Sequence, residues 1–188
     1  MSILVEQIED LIDRIEGSGQ KVGDTREVVN ATIYLNNIDY EKEKVEVEKY
    51  FKREQMDFEK KVQEEAFHYV TLKYGLLHKI NYNKFYHKEL PINSRKLFVQ
   101  SDDCISNIHI LAREKVLKVN VYMRSSEVKC LLFIDCLGIL GIVEGLRYNI
   151  YKTKAPLVTQ VNVQIGSAHL YLEGDERRKD AALHTGVY

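Results

Sequence analysis

The sequence predicts an α+β fold, on three observations. Apolar residues recur at helical spacing through 2–17 and 40–73, and β-branched alternation takes over from Lys96 onward. An apolar stretch at 130–149, carrying Gly138, Gly141 and Gly145, separates the last two strand-like runs and reads as a buried central helix. Helices first and strands later is the order of an α+β chain whose sheet is formed mainly by its second half.

Each element follows from local pattern. Ile3, Leu4, Ile8, Leu11, Ile12 and Ile15 place one apolar stripe on a first helix that ends near Gly17-Ser18-Gly19. VVNATIYL at 28–35 is rich in β-branched residues and reads as a strand stopped by Asn36-Asn37. The charged segment from Tyr40 to about Lys73 is helical in two pieces, and Leu90-Pro91 marks a turn. KLFVQ, ISNIHILA and KVLKVNVYMRS then read as successive strands, with 115–123 half-buried and paired to its predecessor. LVTQVNVQI at 157–165 is the last strand.

The 188 residues fit one domain, 1–188, with 45% hydrophobic residues to build a core. Lys+Arg 27 against Asp+Glu 28 leaves a net charge of −1, which excludes an evenly basic nucleic-acid coat but permits a local phosphate site. The run at 130–143 is broken by Asp135 and too short to span a bilayer, and the N-terminus lacks a basic leader pattern, so no membrane partner is expected. Three cysteines without scaffold spacing point to a reducing cytoplasm. The six histidines and three cysteines form no metal-ligand pattern, and no phosphate loop or dinucleotide fingerprint occurs.

Single residues carry two readings each. Cys104, after Ser-Asp-Asp, is either a small hydrophobe in a sheet or a nucleophile whose acidic neighbours would raise its thiol pKa. Arg124, after a nine-residue strand, reads on its own as a surface ion-pair donor. His169 and Tyr171 alternate on one strand face as a structural pair or as ligands. Glu54 sits in a charge run whose default is a solvated face. Asp135, a lone carboxylate inside LLFIDCLGIL, demands a partner or a function, because burying it unpaired costs several kcal/mol.

Together these pieces resemble the thymidylate synthase superfamily, which includes the deoxycytidylate hydroxymethylases. Val121-Tyr-Met-Arg124-Ser125-Ser-Glu-Val128 is similar to the family's strand ending in Arg-Ser-x-Asp, and Ile165-Gly-Ser-Ala-His169-Leu-Tyr171 to its Gly-(Asp/Ser)-x-His-(Leu/Ile)-Tyr. Cys104 stands before Arg124 at the separation the family keeps between nucleophile and phosphate-binding arginine. Tyr50-Phe-Lys-Arg-Glu54 resembles the helix of the catalytic glutamate, Asn93-Ser94-Arg95 the arginine turn, and Tyr74-Gly75 a Tyr-Gly near the active site. The likeness spans roughly 20–175 and is strongest over 95–175.

The resemblance implies a thymidylate-synthase-like mixed sheet with flanking helices, packed back to back in a homodimer. It implies that Cys104 adds to pyrimidine C6, that Arg124, Ser125, Arg95 and Arg26 hold the monophosphate, and that His169 and Tyr171 bind the 3′-hydroxyl. Glu54 would organise water and proton transfers. Asp135 aligns with the base-reading position, where an aspartate suits the donors of cytosine and an asparagine suits uracil. The implied reaction is 5-hydroxymethylation of dCMP with 5,10-methylenetetrahydrofolate, as in viruses that modify their own DNA. A thymidylate synthase or dUMP hydroxymethylase, a non-catalytic nucleotide-binding homologue, and an unrelated interaction protein are the alternatives. The chain departs from the family pattern at Asp103-Cys104-Ile105 in place of Pro-Cys-His, at Leu131-Leu132-Phe133 in place of Gly-Leu-Pro, and at Glu127 in place of Asp, and it has no tryptophan.

Overall fold

A computed structural model describes residues 2–86, 97–100, 104–113, 115–151 and 158–172. The chain runs α1 (Ile3–Ser18), β1 (Gln20–Val22), β2 (Thr25–Asn36), α2 (Tyr40–Arg53), α3 (Phe58–Tyr86), β3 (Leu97–Gln100), β4 (Ile105–Ala112), β5 (Val116–Glu127), α4 (Leu131–Tyr151) and β6 (Val158–Tyr171). This is a mixed α+β architecture on a six-stranded sheet ordered β1-β2-β6-β5-β4-β3. The turn expected at Leu90-Pro91 lies outside the described residues.

Local chemistry sets the helix ends. Ser2 caps α1 by accepting from the Val5 amide at 3.0 Å, and its hydroxyl donates to the buried Glu43 carboxylate of α2. Glu43 also accepts from the Leu4 amide at 3.1 Å, so a carboxylate that is 3% exposed is held by the free donors of a helix N-terminus. Gly19 follows α1 because a Cβ there would meet the Ile15 carbonyl at 2.4 Å. Asp39 and Asp57 cap α2 and α3 by accepting from the amides of Lys42 and Lys60. The charged segment is two helices, as its spacing predicts, and the second extends to Tyr86.

The parallel pair β5–β6 needs a crossover, and α4 supplies it. The other pairings are antiparallel. Ala31, Ile33 and Leu35 of β2, Val119 and Val121 of β5, and Val161 and Val163 of β6 face the helices and are buried. Their alternate neighbours, Tyr34, Tyr122, Asn120 and Asn162 among them, stay exposed or half-exposed on the other face, where Asn162 donates to Asn120 at 3.1 Å. Among the described residues no helix is long and apolar enough to cross a membrane.

A kink crosses the sheet near one end. In β6 the buried positions run 161, 163, 165 and then 168, 170; in β5 they run 117 to 123 by twos and then 126 and 128. In β4, Ile105 and Ile108 are both buried and the register shifts between Ile105 and Asn107. In β2 the line meets Asn30, at φ 56°, opposite Gly166. Gly166 is fixed by close approach, since a Cβ would lie 2.7 Å from the Arg124 carbonyl. A change of parity turns every later side chain to the opposite face.

Candidate functional site

Beyond the kink, Ser167, His169 and Tyr171 point away from the helices, whereas an unbroken β6 would have driven them into the core. The His169 and Tyr171 rings meet edge to face, with centroids 5.5 Å apart. At the same end Arg124 and Ser125 occupy the kink itself, and Ser125 is registered with Ser167 across the parallel pair. Arg124 is exposed and its guanidinium pairs with no side chain among the described residues. Its amide donates to the Cys104 carbonyl at 2.8 Å, which sets Cys104 beside it at the mouth of β4. Cys104 is level with Arg124, two strands across from β6 and three residues short of His169, so strand geometry separates the two by roughly 14 Å.

Of the three cysteines, Cys104 is exposed, Cys130 half-buried and Cys136 buried. Burial, with Glu127 adding to it, pushes the Cys130 thiol up to about 12. Burial and then Asp135 push Cys136 well above the ordinary value. Both are held as thiols at neutral pH, which leaves the exposed sulfur of Cys104 as the accessible one. Asp102 and Asp103, expected to act on that thiol, lie outside the described residues.

The other predicted residues divide. Arg95 lies outside the described residues. Glu54 ends α2 and is gripped by its neighbour, with Arg53 Nε donating to it at 2.9 Å while Arg53 also bonds Glu9. Burial first, and then the carboxylates of Glu54, Glu9 and Glu127, push the Tyr50 hydroxyl near the end of α2 up. Tyr74 is not brought to this group. It is 68% exposed on α3, beside Lys73, whose side chain lies against Gly145 in the later half of α4.

Arg26 also departs from its expected role. It is registered with the buried Leu170, on the helix-facing side, and its guanidinium donates to the Glu16 carbonyl in the last turn of α1. A cation at a helix C-terminus satisfies an orphan carbonyl and the dipole. Its Nε is buried without a partner among the described residues. Here the arginine fastens α1 to the sheet and is turned away from Arg124.

Asp135 lies in the first turns of α4, 8% exposed, and its partners come from the chain itself. The Tyr69 hydroxyl donates to Oδ1 and the Ser126 hydroxyl to Oδ2 at 3.1 Å. Burial, and then Asp135, push the Tyr69 hydroxyl well above its ordinary value, so it remains a donor. The carboxylate therefore meets the demand for a partner without a bound base. It also lies on the helix-covered side, opposite to His169 and Tyr171.

Two departures from the family pattern acquire structural accounts. Phe133, which stands where the pattern has proline, is fully buried, its ring 4.2 Å from Tyr50 and edge-on to Phe51 in an aromatic cluster joining α2 to α4. Glu127, one methylene longer than aspartate, reaches the start of α4 and accepts from the amides of Lys129, Cys130 and Leu131 at 2.9, 2.9 and 3.3 Å.

One residue escaped the sequence reading. Glu27 is registered with His169 across β2–β6, and its carboxylate accepts from the Ser167 hydroxyl. The pairing joins positions 140 apart in the chain, which no local pattern signals. At the opposite end of the sheet an open cleft is lined by Asn37, Tyr40, Glu144, Arg147 and Thr159, remote from Cys104 and Arg124. No group of three or more His, Cys, Asp or Glu side chains placed to hold a metal occurs among the described residues. Compared with known families and characterised proteins, the chain matches no family model and no curated sequence.

Proposed function

We propose that the chain catalyses 5-hydroxymethylation of dCMP as a thymidylate-synthase-like homodimer, with Cys104 as the nucleophile. The observation that carries the reading is the convergence of Cys104, Arg124, Ser125, His169 and Tyr171 on one end of the sheet. An exposed thiol, a guanidinium without a side-chain partner among the described residues and a His–Tyr pair at the same end of the sheet suit the base, phosphate and sugar of a nucleotide.

In this reaction the Cys104 thiolate adds to C6, and the electron pair moves to C5. C5 then bonds to the one-carbon unit of methylenetetrahydrofolate, which is consumed as co-substrate. Loss of the C5 proton and departure of tetrahydrofolate leave an exocyclic methylene. Water adds to that carbon, and the Sγ–C6 bond breaks to return the thiolate. Arg124 and Ser125 hold the phosphate, His169 and Tyr171 the 3′-hydroxyl, and Glu54 relays protons near the base. The choice of cytosine rests on the resemblance alone, which aligns Asp135 with the base-reading position, while in the fold that carboxylate is held by Tyr69 and Ser126 on the helix-covered side.

Incubation with 5-fluoro-dCMP and methylenetetrahydrofolate, followed by intact mass spectrometry, tests the proposal. A nucleotide adduct on wild type that is absent from Cys104→Ser supports it. An adduct formed only with 5-fluoro-dUMP retains the nucleophile and overturns the base. Thermal stabilisation by dCMP without any adduct favours a non-catalytic nucleotide-binding protein.

A further inference from the structure

From the register of β2 against β6 we infer that Glu27 belongs to the nucleotide site, as the acceptor that selects a sugar carrying a free 3′-hydroxyl. This rests on the proposed nucleotide reading and extends it to a residue no motif marks. Directly paired strand residues project from the same face, so Glu27 shares the face of His169, and Tyr171 follows two residues on. Glu27 is half-buried, and one of its oxygens accepts from Ser167, which fixes the side chain among these neighbours. A carboxylate has room for about four hydrogen bonds, and Glu27 is cross-strand neighbour to His169 on the same face. Glu127, the other strand neighbour of His169, is committed to the α4 amides, so Glu27 is the carboxylate available to a ligand. A negative group here suits a hydroxyl donor and repels a phosphate, which orients the nucleotide with its phosphate toward Arg124.

The test is calorimetric binding of dCMP and of 2′,3′-dideoxycytidine monophosphate to wild type, Glu27→Gln and Glu27→Ala. Wild type prefers dCMP by about tenfold or more, the scale of one hydrogen bond to a charged acceptor. In Glu27→Gln the preference falls, because a neutral acceptor is weaker, and in Glu27→Ala it falls further, to what His169 and Tyr171 alone supply, while affinity for the dideoxynucleotide holds. Glu27→Gln keeps the side-chain size and carries the result if the alanine variant fails to fold. An unchanged preference in both variants, or equal weakening of both nucleotides, overturns the inference and leaves the nucleotide reading standing. Binding of neither nucleotide by wild type overturns both.

Discussion

The Tyr69 hydroxyl of α3 donates to the Asp135 carboxylate of α4, and Gly138 makes the contact possible. A Cβ at 138 would lie 2.3 Å from the Tyr69 ring, so the glycine three residues after Asp135 is the slot that seats the tyrosine. The two helices are thereby tied at the level where Ser126 reaches Asp135 from the sheet.

That relationship makes Gly138→Ala costly although alanine is the better helix former. Overpacking against the Tyr69 ring costs about 1–3 kcal/mol, read as a lowered urea midpoint with unchanged m-value. Asp135→Ala strands two buried hydroxyls and costs roughly 2–4 kcal/mol. Full stability in both variants would contradict the described contact.

Glu127 anchors the crossover helix through three backbone amides. Glu127→Ala is expected to cost about 1–2 kcal/mol through loss of this cap. Glu127→Gln, which retains an acceptor without the charge, loses less. Equal loss in the two variants would show that something other than the acceptor matters.

The cysteines differ in access. An aromatic disulfide reagent at neutral pH is expected to modify Cys104 first and Cys136 only after unfolding, with Cys130 between them. Peptide mapping over time reads the order directly, and early modification of Cys136 would contradict its burial.

Alkali should destabilise the fold. The folded Cys130 thiol titrates near 12 against an ordinary 9.0, so the folded state keeps a proton that the unfolded chain releases. That contribution is complete below pH 9 and is lost as the pH rises to 12. Cys136 and Tyr69 are shifted in the same direction. Urea midpoints measured upward from pH 9 should decline, less steeply in Cys130→Ala, and a flat profile would contradict the shifts.

Much of the fold was legible because its helices and long strands bury one face each. The stripe Leu4, Ile8, Leu11, Ile15 and the alternation at Leu117, Val119, Val121 are periodicities that survive into the structure. β1 was missed because its three residues, Gln20, Lys21 and Val22, are all exposed and too few to show an alternation. The kink leaves a trace in sequence, since apolar parity changes between Ile165 and Ala168, but alternation over short windows reads such a strand as straight. Asp135 was recognised as needing a partner, whereas Tyr69 was hidden among the aromatic residues of a long helix. A guanidinium suits a helix carbonyl as well as a phosphate, and the face on which Arg26 falls, which its own sequence neighbourhood does not reveal, puts it on the Glu16 carbonyl. Glu27 meets Ser167 through tertiary pairing alone.

Release of tritium from C5-labelled dCMP and dUMP, with methylenetetrahydrofolate, tests the central claim most directly, comparing wild type with Cys104→Ser. The account predicts release from dCMP that is abolished in the variant, because the C5 proton leaves only after the sulfur has added at C6. Release that persists without the Cys104 sulfur, or no release from either nucleotide by the folded wild-type protein, would contradict it.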